Sequence, residues 1–143
     1  MDVSPFVTRL REQLLGLPLR DIDAAAGLDA AMRGNRAAPA VYVLPLSERG
    51  EPLDHTGPTD QWEHRLVGVL MVVQTLNASG GPGVIDLAAL RDRVKRALIG
   101  WVPEEATGEP VFFLGGKIAQ FEGDGQMWWS DEFSFKGYFR SNP

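Results

Sequence analysis

The sequence contains no cysteine. That excludes disulfides, thiolate nucleophiles and cysteine-ligated metals, and it fits an intracellular or virion protein that needs no redox protection. Histidine is nearly as scarce, with only His55 and His64 present. Positive charge is in deficit: 14 Lys and Arg stand against 19 Asp and Glu, giving a formal charge of −5 and a pI near 5.0. Sequence-independent nucleic-acid binding needs a surplus of basic groups facing phosphates, so this balance argues against it. Long apolar runs are missing too. The longest, residues 66–73, is far too short to cross a bilayer, and residues 1–5 lack the basic and apolar stretches of a secretory signal. The expectation is a soluble protein made in the cytoplasm.

What is present suits one globular domain spanning residues 1–143. Of these, 44% are hydrophobic and 23% charged, enough apolar material for an ordinary core. Ser4-Pro5 reads as a helix start, with Ser as the N-cap and Pro at the first helical position. Phe6, Leu10 and Leu14 then form a stripe that Gly16 ends. Residues 19–22 read as a short extended piece and 24–32 as a small-residue helix. Residues 40–44 form a compact β run closed by Pro45, and 46–60 carry the Gly and Pro of a long loop. Residues 61–75 form a long strand, polar at first and then apolar from Leu66. Its apolar half should be buried on both faces, with the polar half projecting beyond the core.

A Gly-rich loop over 77–84 leads to Asp86 as N-cap of the clearest helix, 87–99. Its core positions are Leu87, Leu90, Val94, Ala97 and Leu98, while Arg91, Arg93, Lys95 and Arg96 crowd the other face. Gly100 closes it. Residues 103–110 are an acidic loop, 111–114 and 117–122 read as strands around Gly115-Gly116, and Gly123-Asp124-Gly125 is a hairpin signal. The final strand, 127–140, alternates strictly. Met127, Trp129, Phe133, Phe135 and Phe139 share one side; Trp128, Ser130, Glu132, Ser134, Lys136, Tyr138 and Arg140 share the other. Trp129, Phe133, Phe135 and Phe139 are expected in the core. Asp131 interrupts the apolar side, where a bulge or bend is expected. Helices mixed with hairpin-linked strands define an α+β domain, a mostly antiparallel sheet with helices packed on one face.

Catalytic signals are weak. The tract 79–83 sits where phosphate-binding loops sit, but it lacks a Walker lysine, Pro82 removes a donor, and Asp86 would repel a phosphate. His55 and His64, with Asp54, Asp60 and Glu63, match no established ligand spacing. No Gly-x-Ser-x-Gly elbow is present. Adjacent acids such as Glu104-Glu105 and Asp131-Glu132 point apart in extended chain and make no acid–base dyad. No catalytic, cofactor-binding or metal residue is assigned. Trp128, on the polar side of its strand, is better explained by a protein interface than by base stacking. Charge separates more clearly. The helix carries Arg91, Arg93, Lys95 and Arg96, whereas 104–132 carries seven acids against Lys117. If unlike patches meet head to tail, the contact is heterologous and closes into a ring.

The helix end Ala97-Leu98-Ile99-Gly100-Trp101 with Pro103, the pair Gly115-Gly116, the run Trp128-Trp129-Ser130-Asp131-Glu132-Phe133 and the closing Tyr138-Phe139-Arg140 carry a resemblance. So do the strand 41–45 and the strand ending at 70–73. Together they are similar to the tail terminator proteins of long-tailed bacteriophages, over most of the chain. The resemblance implies a non-enzymatic virion protein, at the head-proximal end of the tail and assembled in the host cytoplasm. Such a protein forms a ring, a hexamer in the family, that caps the tail tube, ends its polymerisation and meets head-completion proteins. It implies no cofactor and no catalytic residue. An acidic ring would let DNA traverse the lumen without specific binding; a lumen lined by Arg91, Arg93 and Arg96 would contradict that. The subunit interface is expected at Arg91, Lys95, Arg96, Glu104, Glu105 and Trp128. Contact with the tube or a neighbour is expected at His55, Trp62 and Arg65. A head–tail connector or head-completion protein is the nearest alternative, and a small ligand-binding domain or enzyme a more distant one.

Overall fold

A strand apolar on both faces must lie inside a sheet that is covered on both sides, and the central strand does. The computed structural model describes residues 1–27, 31, 38–53, 60–74, 85–121 and 125–140. Elements run α1 (Ser4–Gln13), β1 (Asp21–Ala24), β2 (Ala40–Pro52), β3 (Gln61–Gln74), α2 (Leu87–Leu98), β4 (Phe112–Phe121) and β5 (Gln126–Phe139). The sheet has five strands in the order β1-β2-β3-β5-β4. β1 joins β2 in parallel, and every other pairing is antiparallel, so the α+β expectation holds.

Both helices pack on one face. Phe6 and Leu10 of α1 and Leu90, Val94 and Leu98 of α2 meet Val41, Val67, Val69, Met71 and Phe133 of the sheet. Trp101, just past α2, meets Phe6 edge-on at 5.0 Å, which ties the two helices together. The reverse face holds a second cluster: Tyr42, Leu44, Leu70, Val72 and Trp128, with Ala31 and Ala38 against them. Gly16 and Gly100 end their helices at φ +91° and +84°, a conformation that glycine adopts without strain.

Several boundaries depart from the sequence reading. The first helix begins at Ser4 with Val3 as its cap; Asp2, not Ser4, supplies a side-chain oxygen, accepting from the Ser4 amide at 2.9 Å. Ala24 ends β1 and starts no helix; of the rest of the expected helix, 28–30 and Met32 lie outside the described residues. β2 does not stop at Pro45. Its register steps from Pro45↔Val67 to Ser47↔Leu66, leaving Leu46 as a bulge. The bulge accommodates the missing N–H, and the chain continues paired to Pro52. Residues 46–52 of the expected loop thus form an exposed ribbon with the polar half of β3, and 54–59 lie outside the described residues. Gly115-Gly116 do not split β4 either. Bulges at Leu114 and Ala119 keep one strand paired with β5 throughout.

β5 shows no bend at Asp131: its register with β3 is unbroken from Gln126 to Phe139. Phe133 and Phe135 are core, as expected, and Trp129 packs against it. Phe139 is not core. It is 52% exposed, pairing with Gln61 at the outer end of the ribbon, beside Met1, Asp2 and Pro5 at the start of α1. Trp128 is corrected the other way. It is 3% exposed, since its partner Val72 and neighbour Leu70 belong to the two-sided apolar half of β3.

Candidate assembly surfaces

The helix residues expected to face a neighbour are largely occupied within the subunit. Arg91 lies four residues after Leu87 and three before Val94, so it stands on the flank of the apolar stripe. From there its guanidinium reaches Asp131, Nε to Oδ2 at 3.0 Å and Nη2 to Oδ1 at 2.9 Å. Trp129 Nε1 donates to the same Oδ1 at 2.9 Å, and the guanidinium lies 4.5 Å from the Trp129 ring centre. Asp131 is fully buried. A carboxylate at an apolar position of the alternation is therefore held by three donors, two of them from one cation. Gly116 leaves the room for this cluster: a Cβ there would fall 2.0 Å from Asp131 Oδ1 and 2.9 Å from Arg91 Nη2.

Lys95 covers the Phe113 ring, its Nζ 4.3 Å from the centre. Arg96 donates to Asp92 one turn earlier at 2.7 Å, and both side chains are exposed; this bond holds the guanidinium pKa above its ordinary value. Glu104 accepts from Arg65, whereas Glu105 is exposed. Arg65 also donates to Glu63 at 2.9 Å. Burial opposes the Arg65 charge, but bonds to Glu63 and Glu104 outweigh it and raise its pKa. Its guanidinium crosses over Gly137, where a Cβ would sit 2.1 Å from Cζ. Trp62 meets Tyr138 edge-on at 5.6 Å, and the Tyr138 hydroxyl donates to Asp60 at 3.0 Å. His55 and the Gly-rich tract 79–83 lie outside the described residues. His64 pairs with Glu51 on the exposed ribbon and lowers the Glu51 pKa.

Trp128 stacks on Tyr42 at 6.3 Å beneath the reverse-face cluster, so it presents no surface to a neighbour. Burial, and then the nearby Asp21 carboxylate, push the Tyr42 phenol up in pKa. The sequence reading missed the Arg91–Asp131 pair. Its signals were an acid at a core-facing strand position and a cation at apolar helical spacing. It also missed the large apolar side chains left exposed on β4: Phe112 at 57%, Leu114 at 56% and Ile118 at 49%.

Among the described residues no group of three acidic or histidine side chains converges to hold a metal ion, and no helix is long and apolar enough to cross a membrane. The described features are a two-sided sheet, internal ion pairs and exposed apolar groups at a strand edge. The chain belongs to the phage tail terminator protein family, whose model matches residues 1–143. It is therefore a bacteriophage tail structural protein of the virion, from a family that is structural in kind. A search of the curated proteins finds no match.

Proposed function

We propose that this protein caps the phage tail tube as a ring, ends tube polymerisation and forms the tail side of the head–tail joint. The match to the tail terminator family over the whole chain carries the reading. Its partners are copies of itself, six to a ring, the tail tube protein below and a head-completion protein above. DNA crosses the lumen without specific binding, in keeping with the formal charge of −5. Of the charges expected between copies, Arg91 and Glu104 serve in part-buried pairs inside the subunit, which leaves Glu105, the Lys95 ammonium over the Phe113 ring and the exposed Arg96–Asp92 pair to meet a neighbour. Trp62 and Arg65 stand on or beside the projecting ribbon, the part best placed to reach the tube.

Adding the purified protein to polymerising tube protein and viewing the product by electron microscopy tests the reading. Rings on one end of tubes of limited length are expected. Unchanged tube lengths and bare ends would overturn it.

A further inference from the structure

The polar half of the sheet carries opposite charge on its two faces. On the reverse face the register sets Arg49, His64 and Lys136 in one row and Glu51, Trp62 and Tyr138 in the next. Arg140 follows β5 and lies over the Tyr138 ring at 5.5 Å, so it joins this face. His64 pairs with Glu51, and the Tyr138 hydroxyl donates to Asp60. Lys136 lies 5.8 Å from the Trp62 ring centre, and Arg49, Lys136 and Arg140 make no ion pair among the described residues. Two exposed apolar groups share the face. Phe112 pairs with Ser134, and Leu46 bulges over Gly68.

The helix face of the same half is acidic. A shallow cleft there is lined by Asp2, Glu48, Glu63 and Glu104 against Arg65 and the Met1 amino group. Arg65 holds Glu63 and Glu104, the Met1 amine pairs with Glu48 at 3.2 Å, and Asp2 accepts from the Ser4 amide. The loop that brings Glu104 adds Glu105 and Glu109, which have no ion-pair partner among the described residues. Six acids therefore stand with two cations, and the exposed Phe139 lies in the same cleft. The two faces are the two sides of one ribbon. A second copy behind the first, in the same orientation, brings acids to cations and apolar groups to apolar groups. The α2 cations are poorer counterparts for those acids, because three of the four already bond an oxygen of their own subunit: Arg91 at Asp131, Arg96 at Asp92 and Arg93 at the Gln13 carbonyl.

We infer that the reverse face of the ribbon in one copy docks on the acidic cleft and loop of the next, with Arg49, Lys136 and Arg140 against Glu105 and Glu109. The contact covers Phe112 and Leu46 on one side and Phe139 on the other. It is heterologous, and repeated about one axis it closes into a ring. The inference rests on the ring reading above and gives Glu105 a counterpart on the ribbon, not on α2.

The test uses the full chain with one charge reversed on each face, Arg49→Glu and Glu105→Lys. Both residues are exposed, and circular dichroism checks that each variant keeps its fold. Sedimentation velocity is expected to show each variant alone weakened in self-association by about tenfold or more, and the wild type weakened by added salt. In a mixture, each variant offers the other an opposite charge at both contacts, so association is expected to return towards the wild type. A damaged fold could not give that recovery. If either variant alone assembles like the wild type, or the mixture recovers nothing, the contact is wrong. Arg49→Glu might instead self-associate normally while losing tube binding, or a DNA retardation that the wild type shows. Either result would hand the face to tube protein or nucleic acid and overturn the inference. Variants that form rings and cap tubes like the wild type would sink the contact and leave the ring reading standing. A wild-type chain that neither self-associates nor binds tubes would sink both.

Discussion

Replacing Arg91 by Ala tests whether the cluster at Asp131 is a buried ion pair or a surface one. Asp131 is fully buried, and Arg91 supplies two of its three described donors. In Arg91→Ala only Trp129 Nε1 remains of these donors, and the carboxylate loses its countercharge. Breaking a buried pair from one side costs about 3–5 kcal/mol. An exposed pair is worth about 0–1 kcal/mol. Arg91 is 24% exposed, so the lower end of the buried range, about 3 kcal/mol, is expected. That is a large share of the roughly 5–15 kcal/mol that holds a typical domain together. Urea unfolding followed by tryptophan fluorescence measures it, with the slope checked for constancy. The double variant Arg91→Met/Asp131→Asn strands no charge and keeps an acceptor for Trp129, so it is expected to recover half or more of the loss. A loss below about 1 kcal/mol for Arg91→Ala, or no recovery in the double variant, would refute the buried-pair account.

Gly116→Ala drives a methyl into the same cluster and is expected to cost about 1–3 kcal/mol in the same assay. Trp128→Ala empties the reverse-face cluster; a loss of about 3–5 kcal/mol is expected, where an exposed tryptophan would give almost none. The Tyr42 phenol is raised by burial first and by Asp21 second. Its neutral form is favoured by folding, so its contribution is complete below the usual phenol pKa of about 10 and is lost as pH climbs through the higher folded value. Thermal melts stepped through alkaline pH are expected to show a decline in the wild type that is shallower in Tyr42→Phe.

The closing strand shows how far alternation carries an inference and where it stops. A period of two placed Phe133 and Phe135 correctly, because they lie where α1 and α2 cover the sheet. The same period put Phe139 in the core, but periodicity reports a face and not how far along that face the helices extend. Trp128 failed for the complementary reason. Its face was read from its own strand, which is polar on that side, whereas its burial is set by Val72 and Leu70 across the ladder. The continuous apolar run of β3 announced a covered reverse face, and a tryptophan paired to that run had to share it. Pro45 and Gly115-Gly116 were read as breaks, yet a single extra residue lets a strand pass each of them. Bulges leave little signal in sequence, because they depend on the partner's register.

The Arg91–Asp131 cluster also sets the position of an exposed strand. Gly116 lies against the ion pair, and Lys117 and Ile118 follow it directly, so the cluster fixes the stretch of β4 that carries the exposed Ile118. A buried charged group is a poor source of stability compared with an apolar one, but it rejects positions that leave it unpaired. Sliding β4 by one residue would bring Lys117 or Gly115 over Asp131 and reverse which face carries Ile118. That separates two effects a core of leucines would combine. Arg91→Met/Asp131→Asn, which regains stability, is expected to set the position of β4 less firmly, so that its backbone amides exchange faster than in the wild type. Hydrogen exchange of the double variant under conditions where it is fully folded reads this directly. Wild-type exchange along β4 in that variant would mean that the bulges and backbone ladder alone hold the strand in register.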